Sequence, residues 1–304
     1  MRASEHTFNS SDGVKIFYRS FLPDGNVKAV LQIFHGMAEH SARYVDFARF
    51  MTDNGIAVYV SDHRGHGKSI VNRDDYGVWP HRDEWWRIIA DLKQLKDIAM
   101  EEYPNTPYFV LGHSMGSFLA RTFITKYSTE LSGVIISGTG TNPTGVLRFG
   151  KFIADFACTL EGCRSKASLL DKLSFGGYNK GYNSPYQWLS RDDSQVKKYI
   201  ADDLCGGLFS NSFYRGFFKG LIYINKRSSG ELINKNLKML FVSGDKDPVG
   251  NCGQGVEDAV NFYRDLQIAN IKLKLYPNAR HEILNEINKD EVYKDLLDWI
   301  IVNL

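Results

Sequence analysis

The sequence runs to 304 residues, 43% hydrophobic and 24% charged, with a formal net charge of +2. That length fits one large α/β domain carrying an insertion. The near-neutral balance, with no basic block, excludes a nucleic-acid partner or a polybasic membrane anchor as the first reading.

The opening MRASEHTFNS lacks an apolar core behind a basic start, and no apolar run approaches the ~18 residues of a membrane-spanning helix, so a cytoplasmic protein is expected. Cys158, Cys163, Cys205 and Cys252 form no CxxC pair and no ligand spacing with histidine. They read as free thiols in a reducing compartment, with a Cys158 to Cys205 disulfide left open.

Between His6 and Leu22, Ser11-Asp12-Gly13 separates two strand-like runs, as in a hairpin. Ala29 to Phe34 is an apolar run ending at His35-Gly36, the pattern of a buried strand running into a turn. Tyr44, Phe47, Phe50 and Met51 recur at helical spacing before Gly55. Ala57 to Ser61 is a second buried strand. Asp83 to Glu102 is an amphipathic helix stopped by Pro104. Tyr108 to Leu111, Met115 to Tyr127 and Gly133 to Ser137 continue as strand, helix, strand. The alternation predicts a mostly parallel sheet covered on both faces.

From 142 to 235 the rhythm breaks into an aromatic-rich stretch without a clear strand. It resumes at Lys238 to Ser243, then a helix over 255–266, an alternating run Ile271 to Tyr276 expected at a sheet edge, and a terminal helix over 290–301. The expected organisation is a core half at 1–141, a cap insertion at 142–235 and a second core half at 236–304. Within the insertion, the apolar residues 209–224 fit either the cap's own core or a lid face touching lipid at a membrane surface.

The chemistry centres on Gly112-His113-Ser114-Met115-Gly116. A GxSxG alone is weak; here it lies between a strand and a helix, the context of a nucleophile elbow. The helix start aims amides and its positive dipole end at the reacting group. A serine needs a base, and of eight histidines only His281 follows Ser114. The acid that orients it should sit in the loop Gly244-Asp245-Lys246-Asp247-Pro248-Val249. Asp247 is the first candidate, and spacing alone does not separate it from Asp245. The oxyanion amides are expected from Met115 and, after the first buried strand, Met37. The triad chemistry calls for no metal or organic cofactor.

His35-Gly-Met-Ala-Glu-His-Ser-Ala-Arg-Tyr44, Asp62-His-Arg-Gly-His-Gly-Lys-Ser69, the elbow, Gly244 to Val249 and His281 together resemble the monoglyceride lipase and lysophospholipase L2 branch of the α/β-hydrolases. The similarity covers about 6–140 and 236–304. It implies the α/β-hydrolase fold, hydrolysis of monoacylglycerol or lysophospholipid-type esters through an acyl-enzyme on Ser114, Asp247 as the acid, and Met37 as the second oxyanion amide. It also places Glu39 and Arg43 near the substrate head group and gives Asp62, Arg64 and Gly65 a structural role. Two positions depart from the family. Ala38 stands where glycine is frequent, which would strain a left-handed backbone. Leu284 stands where animal monoglyceride lipases carry a second histidine. Fold and triad leave the substrate open: a short-chain or aromatic carboxylesterase, a thioesterase, an aminopeptidase, a haloperoxidase or a non-catalytic binding protein share this scaffold.

Overall fold

The computed structural model describes residues 1–304. Eight strands form one sheet: β1 (Arg2–Asn9), β2 (Lys15–Leu22), β3 (Ala29–Phe34), β4 (Ile56–Ser61), β5 (Tyr108–His113), β6 (Gly133–Ser137), β7 (Met239–Gly244) and β8 (Ile271–Tyr276). Their order is β1-β2-β4-β3-β5-β6-β7-β8. The β1–β2 hairpin and the β2–β4 pair are antiparallel, and every later pair is parallel. The helices are α1 (Val45–Asp53), α2 (Glu84–Glu102), α3 (Met115–Tyr127), α4 (Thr144–Leu160), α5 (Ser168–Phe175), α6 (Asp193–Ala201), α7 (Asn211–Ile224), α8 (Arg227–Gly230), α9 (Gln254–Asp265) and α10 (Lys289–Val302). No helix is long and apolar enough to cross a membrane.

Strands β3 to β7 are fully buried, as parallel strands covered on both faces must be. Alternate residues therefore feed two cores. Val30 and Phe34 of β3 pack with α2, α3 and α9 on one face. Leu31 and Ile33 of the same strand pack with α1 and α10 on the other. The terminal strand β8 has a half-exposed pattern, as expected of an edge. The parallel crossovers bring the C-terminal ends of β3, β5, β6 and β7 to one rim, where ligands of open α/β sheets bind.

The chain between β6 and β7 carries α4 to α8 and no named strand, only an isolated bridge from Lys166 to Ser210. Helix α7 is its spine. Phe213, Tyr214, Phe217, Leu221 and Ile224 are buried, and Gly216 and Gly220 lie so close to Trp79 and Trp85 that an added Cβ would meet their rings at 2.7 Å and 2.2 Å. Residues 209–224 are thus core rather than a lid face. The exposed apolar face belongs to α4 instead: Val146, Phe149, Phe152, Phe156 and Leu160 point outward, while Leu147 and Ala154 are buried on its other side.

The four cysteines are free thiols, so Cys158 and Cys205 are not bridged. Buried Arg64 pairs with buried Asp91 and Glu84 and with Asp12 at the surface, and Asp62 accepts from the Ser41 and Lys68 amides, both structural roles.

Candidate active site

Strand β5 ends at His113 and α3 begins at Met115, leaving Ser114 at the turn with φ 53° and ψ −121°. A left-handed φ at a non-glycine residue is strained and survives only where its surroundings over-determine it. They do so here. The Ser114 amide donates to Ser137 O at 2.9 Å, fixing the turn to β6. A Cβ on Gly116 would lie 1.9 Å from Phe34 O, and one on Gly112 would lie 2.3 Å from Gly116 O. The two glycines of the motif are needed because three backbones meet at the elbow.

Asp247 and His281 arrive from the loops after β7 and β8. His281 Nδ1 lies 2.9 Å from Asp247 Oδ2, and both residues are buried. Ser243 Oγ donates to the same carboxylate oxygen at 3.0 Å and the Val249 amide to the other at 2.9 Å. Asp245, the alternative acid, accepts from the Asn278 amide instead and only shapes the loop. Burial disfavours the His281 imidazolium, but the Asp247 charge and hydrogen bond outweigh it, so its pKa lies above the ordinary 6.5. Burial likewise opposes ionisation of Asp247, and His281 more than offsets it, so its pKa is lowered. Four other buried histidines behave oppositely. Burial drives His35 and His63 down, His66 to about 3 and His113 to about 4. His281 is thus set up to accept a proton near neutral pH, and these four are held neutral.

Ser114 and His281 line one cavity of about 300 Å³. With its proton on Nδ1 toward Asp247, His281 leaves Nε2 for the cavity. No hydrogen bond yet joins it to Ser114 Oγ, a contact that often tightens only around substrate. Gly36, Met37, Ala38 and Glu39 supply the core side of the cavity; Phe175, Tyr186, Trp188, Leu189 and Leu208 roof it from the inserted segment.

The Met115 amide stands at the first residue of α3, where it has no intrahelical partner. Met37 sits in the loop after β3, and its amide donates to no backbone carbonyl. Ala38 has φ 58°, so the strain expected of alanine there is present. The turn is held regardless: the Gly206 amide donates to Ala38 O at 3.1 Å.

Glu39 and Arg43 fall in different places. Glu39 is buried, lines the cavity, and accepts from the Gly36 amide and from Tyr44 Oη at 2.9 Å. Burial opposes its charge, but Arg43 outweighs that and holds it at about 2. Arg43 lies behind it, off the large cavity, 3.0 Å from Glu39 and doubly bonded to Glu282.

Glu282 was not foreseen from the sequence, nor was the strip 187–190, which grips the His281 loop. The His281 amide donates to Trp188 O at 3.4 Å, the Glu282 amide to Leu189 O at 2.7 Å, and Arg280 Nη1 to the carbonyls of Gln187 and Ser190. The Trp188 ring lies 5.1 Å from that of His281. The one hint in the sequence was the density of aromatics in the insertion.

Comparison with known proteins agrees with this architecture. A monoacylglycerol lipase of Mycolicibacterium smegmatis is 29% identical over 99% of this chain and 98% of its own length. The human monoglyceride lipase is 27% identical over 96% of this chain and 88% of its own. A thermostable carboxyl esterase from Bacillus coagulans, solved with glycerol, superposes with a TM-score of 0.90 at 27% identity, covering 99% of this chain and 98% of that one. The family model described as serine aminopeptidase, S33, matches residues 25–288, a span that holds the elbow, the Asp247 loop and His281. The chain therefore belongs to the S33 serine aminopeptidase family of α/β-hydrolases.

Proposed function

We propose that this protein is a carboxylic ester hydrolase of the monoacylglycerol lipase type, working through an acyl-enzyme on Ser114. The observation that carries the reading is the buried Asp247–His281 pair opening onto the same cavity as a strained, elbow-borne serine. Ser114 Oγ attacks the ester carbonyl as His281 Nε2 takes its proton. Asp247 holds the tautomer and stabilises the imidazolium. The Met37 and Met115 amides meet the oxyanion. The alcohol leaves with the proton from His281, and water repeats the sequence on the acyl-enzyme. Every group that moves a proton belongs to the chain, the substrate or water.

Residues 142–235 act as a cap over this cavity. Their aromatic roof excludes water and receives the acyl chain. Exposed Phe149, Phe152 and Phe156 on α4 suit brief contact with the surface that presents lipid substrate.

The head-group side favours a neutral alcohol. Glu39 and Glu282 both line the cavity, and Arg43 offsets one of their two charges. That residual negative charge repels a phosphodiester and leaves carboxylate oxygens for glycerol hydroxyls. Leu284 is buried and lies off the large cavity, so it supplies no polar contact in place of the second histidine of animal relatives. Monoacylglycerol is therefore expected to be hydrolysed with kcat/KM at least tenfold above lysophosphatidylcholine of the same acyl chain. A p-nitrophenyl ester series from acetate to palmitate should peak above butyrate. Preference for acetate, with no turnover of monoacylglycerol, contradicts the reading and points to a small-ester esterase.

A further inference from the structure

His40, Asp202 and Cys205 stand outside the proposed acyl-transfer machinery, yet their donor atoms all lie within 4.8 Å of one another. They come from opposite sides of a seam. His40 ends the loop after β3, and Asp202 and Cys205 lie between α6 and α7 in the insertion. His40 is buried, with Nε2 2.9 Å from Asp202 Oδ2. The other Asp202 oxygen accepts from the Leu204 amide at 2.9 Å, so the carboxylate is fixed facing the histidine. The Cys205 amide donates to Asp202 O at 2.9 Å, which closes the turn that carries the thiol.

We propose that His40, Asp202 and Cys205 form a zinc site that clamps the insertion to the loop bearing Met37. The donor set of imidazole nitrogen, carboxylate oxygen and thiolate sulfur matches the borderline character of Zn²⁺, with water as a fourth ligand. Tetrahedral coordination needs donors about 3.3–3.7 Å apart, given Zn–N and Zn–O near 2.1 Å and Zn–S near 2.3 Å. His40 and Asp202 must separate by roughly half an ångström, and Cys205, at most 4.8 Å from either, must close by at most about one.

The local charge favours a cation. Asp202, Glu39 and Glu282 are three carboxylates, against the guanidinium of Arg43 beside Glu39 and Glu282 and that of Arg73 at Asp203 O, with His40 neutral when it ligates. The metal-free Cys205 is a thiol, and it is the thiolate that ligates a metal. On binding, the S–H bond is exchanged for S–Zn and the proton passes to solvent, which makes affinity rise with pH. The clamp would act beside the cavity, since Ala38 and Gly206 line it and are already joined by one backbone hydrogen bond.

The test is a competition titration of metal-free full-length protein with zinc chloride against a chromophoric chelator, alongside Cys205→Ser, His40→Gln, Cys252→Ser and His281→Ala. One zinc per chain is expected, with affinity at least tenfold weaker in the first two variants and unchanged in the last two. Far-ultraviolet circular dichroism checks that each variant is folded, and the two ligand variants report independently. Co²⁺ should give a thiolate-to-metal charge-transfer band that Cys205→Ser abolishes, and zinc should raise the melting temperature of wild type but not that of Cys205→Ser. Less than half an equivalent bound to wild type overturns the proposal. So does undiminished affinity in both ligand variants, or loss of binding in His281→Ala, which would place the metal in the triad.

Discussion

At the level of single residues the site is a set of opposed electrostatic choices. His281 carries the one buried imidazole paired with a buried carboxylate, and its pKa is raised where the His113 ring beside it is pushed down to about 4. A base must be neutral to accept a proton, so activity falls as pH drops through its pKa. The acid limb of kcat/KM is therefore expected above pH 6.5. In Asp247→Asn the partner that raises the pKa is gone while burial remains. The limb should move below 6.5 and kcat fall by roughly 10⁴. A limb that stays in place would mean that another group titrates. Arg43 poses a different question, because it serves two buried acids at once. Removing one partner of a buried pair costs about 3–5 kcal/mol. Arg43→Met should lose that much in urea unfolding, and adding Glu282→Gln should restore part of it. An unchanged midpoint would show that Glu39 and Glu282 do not depend on Arg43. Legibility in the sequence follows the same logic. Ser114 and His281 were readable because a motif on a strand–helix turn meets a single downstream histidine. Asp245 and Asp247 share one loop, and burial, which spacing does not report, separates them. Glu282 acquires its role only through Arg43, 239 positions away.

Among the elements, those with a strong period were the ones the sequence announced. Strands β3 to β7 are apolar runs of five or six residues, and each lies within a residue or two of its expected place. The helical spacing of Tyr44, Phe47, Phe50 and Met51 proves to span a 3₁₀ turn at Ser41–Tyr44 followed by α1. The insertion was harder, because aromatic residues fill both its buried and its exposed faces. Helix α7 has its face against Trp79 and Trp85, whereas α4 leaves three phenylalanines in water. Each exposed phenylalanine that enters an apolar phase gains about 1.5–3 kcal/mol. Phe149→Ser/Phe152→Ser/Phe156→Ser should therefore keep its rate on soluble p-nitrophenyl butyrate and lose at least fivefold on monoacylglycerol presented in vesicles. Equal losses on both substrates would instead mark α4 as part of the fold of the insertion.

For the molecule as a whole, one sheet brings chain segments more than 200 residues apart to a single rim, and the segment between β6 and β7 closes over it. The parallel character of the sheet was implicit in the strand–helix alternation, but its strand order was not. The way the insertion sits was not, since it depends on polar stitches such as Arg280 to Gln187 O and Arg191 to Glu286 that carry no periodic signal. These stitches tie the roof to the loop that carries His281. The proposed hydrolysis consequently depends on one serine at the junction of core and roof. The most direct measurement is labelling of the folded protein with a fluorophosphonate, followed by mass-spectrometric location of the adduct. A single adduct on Ser114, absent in Ser114→Ala together with ester hydrolysis, is the predicted result. No adduct, or an adduct elsewhere with hydrolysis intact in Ser114→Ala, would contradict it.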